Sequence, residues 1–270
     1  MKKIALLCTA LFIVNVTFAQ DQPQTDTAGA DALAKQLQNP ISSLISVPFQ
    51  GNFDFGFGPE NGNRSIINIQ PVIPLSIGED WNLITRIILP VVSQSDIYGN
   101  SGNQFGLGDV SLSGFFSPKE PTSGGLIWGV GPVLSIPTAT DNLLGSQKFG
   151  VGPTAVALKQ VGTITVGLLV NQVWSVAGNE DRADVNNTFI QPFLAKNFPG
   201  GYALSLNTEV SQNWEADATS GTVNIGGSKV IALGKQRAQI SVGPRIPYGG
   251  GNNSDWGFRA QFTLLFPAGK

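Results

Sequence analysis

From residue 41 to the end of the chain, apolar and polar side chains alternate in one segment after another. Across residues 202–214, one face carries Tyr202, Leu204 and Leu206, and the residues between them are mostly small or polar. Residues 256–266 repeat the pattern, with phenylalanine and leucine on one face. A period of two residues is the signature of β-strands whose two faces meet different surroundings. The polar face carries few charges, unlike the solvent face of a soluble sandwich.

Turn residues divide this region into about twelve segments of about nine to sixteen residues each. A tilted strand that crosses a bilayer needs about 9–11 residues, whereas strands of soluble proteins most often have about five or six. We therefore predict an all-β fold, an antiparallel transmembrane β-barrel of about twelve strands. The predicted strands are residues 42–57, 65–77, 81–92, 105–117, 125–136, 151–160, 164–176, 186–197, 202–215, 222–233, 239–248 and 256–266.

The links between the predicted strands alternate in length. Tight links such as residues 78–80 follow even-numbered strands, and longer polar links such as residues 137–150 mostly follow odd-numbered ones. The links at 118–124 and 216–221 depart from this rule. Outer-membrane barrels have short periplasmic turns and longer external loops. The alternation therefore predicts that both termini lie in the periplasm.

The first nineteen residues have the pattern of a secretory signal peptide. Lys2 and Lys3 are followed by an apolar stretch over residues 4–14 and by a small residue, Ala19, at a suitable cleavage position. The apolar stretch is too short for a transmembrane anchor. We predict that residues 1–19 are a signal peptide that directs export.

Residues 20–40 form a polar linker before the barrel. They contain one short helical pattern at residues 31–38, which Asn39 and Pro40 end. The linker is therefore expected to be periplasmic and to place a short helix at or inside the periplasmic mouth of a barrel that comprises residues 41–270.

The composition limits the possible chemistry. The 270 residues include no histidine, and 13% are charged, against about 25% in an average soluble domain. Without histidine the chain cannot form a Ser-His-Asp triad or an imidazole metal site. We predict no catalytic, metal or cofactor site. Loss of two lysines with the signal peptide takes the net charge from −2 to −4, and with no basic patch a nucleic-acid partner is excluded.

Several motifs are similar to those of one bacterial family, among them Gln104-Phe-Gly-Leu-Gly-Asp109 and Trp128-Gly-Val-Gly-Pro132. Together the motifs resemble the outer-membrane proteins of the MetA-pathway of phenol degradation family. The resemblance covers essentially the whole mature chain and implies a barrel in the outer membrane of a Gram-negative bacterium. The last strand also resembles the C-terminal signal that the barrel-assembly machinery reads. The remaining similar stretches are residues 39–50, 68–74, 80–84, 174–178, 181–186 and 264–267.

Ionisable residues on the polar faces are the candidate lumen-lining residues. A lipid-facing Arg or Lys near the bilayer centre costs about 2–4 kcal/mol, so we expect the charges on the polar faces to point into the lumen. Two interpretations stay open: the charges pair across a filled lumen, or they form a constriction that selects solutes. The candidates are Asp54, Arg86, Asp109, Lys159, Glu209, Lys229, Arg245 and Arg259.

Several prolines fall inside predicted strands, where they cannot donate to the hydrogen-bond ladder. Pro71, Pro74 and Pro90 are the clearest cases. They are expected either to accompany bulges or bends near the rims, or to leave a lateral opening in the wall through which an apolar solute could pass.

The sequence therefore predicts an outer-membrane channel, not an enzyme, for passive uptake of small molecules, with aromatic or hydrophobic, phenol-like compounds as candidate solutes. The expected partners are outer-membrane lipid, lipopolysaccharide and the barrel-assembly machinery. A structural or plugged barrel without transport is one alternative. A lipid-modifying enzyme is another, and it would need a mechanism without histidine.

Overall fold

The computed structural model describes residues 27–58, 60–250 and 254–266. The predicted signal peptide, residues 1–19, lies outside the described residues. Among the residues that are described, no helix is both long enough and apolar enough to cross a membrane.

Fourteen strands form one antiparallel sheet: β1 (Ile45–Phe57), β2 (Gly62–Ile69), β3 (Val72–Ile77), β4 (Trp81–Ser95), β5 (Asn103–Leu107), β6 (Val110–Pro118), β7 (Leu126–Ile136), β8 (Lys148–Val161), β9 (Ile164–Gly178), β10 (Asn186–Phe198), β11 (Tyr202–Asn213), β12 (Ala218–Leu233), β13 (Gln236–Gly249) and β14 (Trp256–Phe266). The sheet closes because β14 returns to pair with β1, from Ile45 opposite Phe266 to Phe55 opposite Trp256. Two of the wall strands are interrupted: one consists of β2 and β3, and the other consists of β5 and β6. The barrel therefore has twelve antiparallel strands, which confirms the predicted fold.

The interruption between β2 and β3 lies at Gln70 and Pro71. The register against β4 is the same on both sides of it. The Gln70 N–H donates to the Pro48 carbonyl at 2.9 Å, and the Ile87 N–H donates to the Pro71 carbonyl at 3.1 Å. The wall thus stays hydrogen-bonded on both sides of Pro71.

The interruption between β5 and β6 lies at Gly108 and Asp109. One extra residue is inserted here relative to β4, because Val91 faces Leu107 whereas Ile88 faces Ser111. This is a bulge, the setting in which a sheet tolerates irregular pairing. The Pro90 carbonyl accepts the Gly108 N–H at 2.9 Å beside it.

The two faces of the wall differ as alternation predicts. On the outer face, apolar side chains such as Phe105 and Val161 are 77% and 62% exposed. On the lumenal face, Thr165 and Thr263 are buried. An apolar surface that runs around a whole barrel is suited to lipid and not to water. Exposed tryptophans lie near strand ends, at Trp81, Trp174, Trp214 and Trp256.

The links also differ between the two ends of the barrel. Most links at the end where β1 begins and β14 finishes, named the inner end, are very short, as at residues 162–163 and 234–235. Longer loops, including residues 137–147 and 179–185, lie at the opposite, outer end.

A single helix, α1 (Thr27–Leu37), is described, and it starts four residues earlier than predicted. Its alanine-rich sequence favours helix. Ala30 and Ala34 are buried against Val230 on the lumenal face of β12. The Gly201 N–H, in the turn between β10 and β11, donates to Asp31 Oδ1 at 2.6 Å. The helix is therefore docked at the inner mouth of the barrel.

The chain after α1 turns into the lumen before β1 begins. Ile41 is only 5% exposed and packs on apolar side chains that point inward from β4, β6, β8 and β9. The inner half of the lumen is therefore partly apolar, although alternation led us to expect polar side chains with few charges on the face opposite the lipid. The side chains around Ile41 in this cluster are Ile84, Phe115, Val156, Leu158 and Leu169.

Candidate permeation pathway

Four of the predicted lumenal residues form one charged cluster on the lumenal face. Arg245 Nε lies 2.9 Å from Asp54 Oδ1, and its Nη1 lies 3.6 Å from Glu209 Oε2. Arg259 Nη2 donates to both oxygens of Glu209, at 2.8 and 3.1 Å. The structure thus brings Asp54, Glu209, Arg245 and Arg259 together from β1, β11, β13 and β14. These four lumenal charges therefore pair with one another.

Asparagine side chains complete the cluster. Asn52 Oδ1 accepts Arg259 Nε at 2.7 Å and Arg245 Nη1 at 3.2 Å. Asn224 Oδ1 accepts Arg245 Nη1 at 3.0 Å. Asn52 lies two residues before Asp54, so both side chains leave β1 on the same face. Each guanidinium therefore meets several fixed acceptors, which a buried charge requires.

Arg86 also faces the lumen, but its hydrogen-bond partner is a neutral amide. Its Nη2 donates to Gln70 Oε1 at 2.8 Å. Gln70 in turn donates to Gln50 Oε1 at 3.2 Å, and Gln50 donates to Gln261 Oε1 at 3.1 Å. A chain of side-chain amides thus runs from Arg86 around the lumenal wall.

Arg86 and Arg259 border a cavity of about 260 Å³, named the inner cavity. The amide chain lines one part of it, and Val72, Leu169 and Phe193 line another. The cavity is therefore amphipathic. A dry apolar cavity of about 150 Å³ can hold benzene, so the inner cavity is large enough for a single-ring solute.

Asp109, in the bulge between β5 and β6, holds a loop at the outer end. Its carboxylate accepts the Ala139 N–H at 3.2 Å, the Ser146 N–H at 2.7 Å and the Ser146 hydroxyl at 2.7 Å. The loop of residues 137–147 also places the Leu143 carbonyl 3.4 Å from Gln94 Nε2, a buried lumenal group. Asp109 thus anchors a loop folded over the lumen.

A second cavity of about 470 Å³, named the outer cavity, lies under this loop. Arg64, Arg182 and Tyr98 line it together with Leu143 and apolar wall residues. Arg64 Cζ lies 4.5 Å from the centre of the Phe57 ring, and its buried Nε has no hydrogen-bond partner. Cationic groups therefore border both cavities.

The loop of residues 179–185 covers the neighbouring part of the outer end. Arg182 Nη2 donates to the Gly145 carbonyl at 2.8 Å, which ties the two outer loops together. Asp184 Oδ1 lies 2.9 Å from Lys148 Nζ and 3.1 Å from the Ser175 hydroxyl. Hydrogen bonds from Lys148 and Ser175 lower the pKa of the exposed Asp184 carboxyl below its ordinary value. Within the described ranges, no group of three or more acidic, His or Cys side chains could hold a metal ion.

Two predicted lumenal residues, Lys159 and Lys229, are on the outer face instead. Lys229 lies opposite Tyr202, donates to its hydroxyl at 2.8 Å and lies 4.5 Å from its ring centre. Lys159 lies opposite Leu126 and is exposed. Both are near the inner end, where an outward cation costs only about 0–1 kcal/mol because its amine reaches the interface. The inward assignment of these two lysines was wrong because it used the cost at the bilayer centre.

The sequence also missed three cationic groups at the outer end, of which Arg64 and Arg182 border the outer cavity and Lys148 pairs with Asp184. Arg64 precedes the predicted start of its strand at residue 65, but the strand begins at Gly62. Lys148 likewise precedes a predicted start at residue 151. Arg182 is contributed by a loop, and its position depends on a contact across loops. Extending alternation past the predicted strand ends would have found Arg64.

Replacing Asp109 with alanine should release the loop of residues 137–147, because three hydrogen bonds lose their acceptor. Chymotrypsin should then cut after Leu143 or Leu144 at least several-fold faster in the folded barrel. Glu180→Ala, in the adjacent outer loop, is the matched control and should leave the rate unchanged. Equal cleavage of Asp109→Ala and the unchanged protein would show that Asp109 does not hold the loop.

Comparisons with known proteins identify the fold. No family model matches the chain, and no curated protein matches it by sequence. The structure is similar to an outer-membrane channel of the COG4313 group from Pseudomonas putida F1, with 15% identity, a TM-score of 0.66, and coverage of 83% of this chain and 94% of that chain. The β domain of a Bordetella autotransporter aligns at 12% identity and a TM-score of 0.44, over 83% of this chain and 100% of that one. A porin aligns at 10% identity and a TM-score of 0.39, over 83% of this chain and 99% of that one. The first of these likenesses places this chain among closed barrels with the fold of an outer-membrane channel.

Proposed function

We propose that this chain is an outer-membrane channel of a Gram-negative bacterium for passive uptake of small molecules. The observation that carries this proposal is a closed barrel that is apolar outside and holds amphipathic cavities inside. An apolar outer face needs lipid around it, which supports outer-membrane lipid and lipopolysaccharide as its surroundings. The resemblance of the last strand to the C-terminal assembly signal supports the barrel-assembly machinery as its route of insertion. The resemblance to the phenol-degradation family supports the same function and suggests aromatic or hydrophobic solutes.

Conductance of the purified barrel in planar lipid bilayers tests this function. We expect small single-channel currents, because α1 and the loop of residues 137–147 narrow both ends. Swelling of liposomes that contain the barrel should follow addition of small neutral solutes such as phenol. Absence of both conductance and swelling would leave a structural or plugged barrel. Hydrolysis of phospholipid by the purified protein would instead favour an enzyme.

A lateral route through the wall is a second candidate, and one observation favours it. In the described residues, β3 pairs with β1 only at Val72, while its remaining residues pair with β4 alone. Residues 73–77 therefore have one edge, near the inner end, that is not hydrogen-bonded to a neighbouring strand. Pro74 lies in this stretch, and an edge is where a sheet tolerates proline. Pro71 and Pro90, by contrast, lie where the wall is hydrogen-bonded.

The substitution Pro74→Val should slow uptake of phenol by cells if solutes leave by this edge, because valine restores an N–H donor and favours pairing. Pro71→Val, which changes a position with bonded neighbours, should have a smaller effect. Uptake of radiolabelled phenol at equal amounts of folded barrel is the measurement. Unchanged uptake in Pro74→Val would count against the lateral route and leave the axial one.

A further inference from the structure

Arg86 differs from Arg259, the other described arginine at the inner cavity, in having no acidic partner. In the part of the chain that the structure describes, no carboxylate lies within 4.0 Å of its guanidinium. Arg259, on the same cavity, has both oxygens of Glu209. Glu209 acts on Arg86 only at longer range. A lumenal cation held by neutral groups can still accept an anion.

The amide chain fixes the orientation of Arg86. Every amide in it accepts through its oxygen and donates through its nitrogen to the next group, ending at Thr263, whose hydroxyl accepts Gln261 Nε2 at 3.0 Å. All the dipoles therefore point the same way, with an oxygen toward Arg86. A guanidinium has five N–H donors, and Gln70 takes one of them. Arg86 is half-buried and borders the cavity, so its remaining donors can be used by a ligand there.

The rest of the inner cavity suits the body of an organic molecule. Val72, Leu169 and Phe193 give an apolar surface on the same cavity as Arg86. A simple inorganic anion would leave this surface without a partner, and an apolar solute would leave the guanidinium without one. A molecule with a carboxylate at one end and a ring or short chain at the other matches both.

The charge balance of the lumen favours the same sign of solute. Among the strand and bulge residues that the structure describes, four lumenal arginines stand against three carboxylates, although the whole chain has a net charge of −2. One of those carboxylates, Asp109, is occupied by loop hydrogen bonds. An excess of positive charge in a narrow, low-dielectric passage raises the local concentration of anions. The arginines are Arg64, Arg86, Arg245 and Arg259, and the carboxylates are Asp54, Asp109 and Glu209.

We propose that the inner cavity is a binding site for small amphipathic organic carboxylates, with Arg86 binding the carboxylate and Val72, Leu169 and Phe193 contacting the apolar part. The proposal rests on the channel function and narrows its solute class. Arginine and carboxylate form paired, charge-assisted hydrogen bonds, which a neutral alcohol or an amine cannot reproduce.

Equilibrium dialysis with the detergent-solubilised, folded barrel tests the site without requiring transport. The probes are benzoate, benzyl alcohol and benzylamine at pH 7, which share a ring and differ in charge. Benzoate should bind at least about tenfold more tightly than the other two, because its contact with Arg86 is charge-assisted. Arg86→Gln should weaken benzoate binding about tenfold and leave benzyl alcohol unchanged. Lys159→Gln removes the same charge from the outer face and should change neither the affinity for benzoate nor the affinity for benzyl alcohol.

Arg86→Lys provides a second variant that keeps the charge. It should bind benzoate with intermediate affinity, since lysine cannot form the paired contact. Heat-modified mobility on gels confirms that each variant is folded, and Arg86→Lys replaces Arg86→Gln if the latter does not fold. Equal affinity for the three probes, or benzoate binding that neither Arg86 variant weakens, would overturn the site.

Bilayer recordings separate this site from the channel function. Benzoate binding with neither conductance nor liposome swelling would refute the channel and keep the site. Conductance with equal affinity for the three probes would keep the channel and refute the site. If both hold, the reversal potential in a sodium benzoate gradient should indicate preference for the anion, and Arg86→Gln should reduce that preference.

Discussion

Removal of residues 20–43 is expected to raise the single-channel conductance several-fold. Helix α1 is docked at the inner mouth, and Ile41 packs inside the lumen on side chains of four wall strands. The deletion removes both obstructions and leaves the wall from Ile45 onward unchanged. Conductance in planar bilayers, with the protein exported behind its own residues 1–19, is the measurement.

A shorter deletion, residues 20–38, should have a smaller effect because Ile41 remains. Ala34→Glu tests the docking of α1 without a deletion, since it places a carboxylate at a fully buried position against Val230. Ala32→Glu, on the exposed side of α1, is the matched control and should leave the conductance unchanged. Equal conductance of the unchanged protein and both deletions would mean that the N-terminal segment does not obstruct the passage.

The barrel could be predicted from the sequence because apolar and polar side chains alternate with a period of two residues along the wall strands. A barrel interior and a lipid exterior impose this period on each strand independently, so an error in one strand does not alter the others. The strand count was correct for this reason. The interruptions at Pro71 and at Asp109 were not predicted, because they depend on hydrogen bonds to neighbouring strands.

The candidate site was only partly predictable. Alternation gives the face of a residue but not its height relative to residues on other strands. It therefore found Asp54, Glu209, Arg245 and Arg259 as separate candidates and could not show that they pair. Which of the two arginines at the inner cavity lacks a carboxylate depends on the stagger between strands, so the difference between Arg86 and Arg259 became visible only in the structure.

Loss of Glu209 is expected to be the most destabilising single change in the lumen. Glu209 accepts two hydrogen bonds from Arg259 and also faces Arg245 at 3.6 Å. In Glu209→Gln, Arg259 loses its acidic partner while its side chain is only 14% exposed. Removal of one partner from a buried pair costs about 3–5 kcal/mol. Because Glu209 is 24% exposed to the lumen, water moderates the loss, and about 2–3 kcal/mol is expected.

Urea titration of the folded barrel in lipid vesicles, followed by tryptophan fluorescence and gel mobility, measures this loss. Glu215→Gln, in an exposed outer loop, removes the same charge and should change the free energy of unfolding by less than about 0.5 kcal/mol. The double variant Glu209→Gln with Arg259→Gln should lose less unfolding free energy than the two single variants lose in sum. Both charges of the pair are removed together, so neither is left without its partner. Additive losses would contradict a coupled pair. They would mean that water in the lumen, and not Glu209, solvates Arg259.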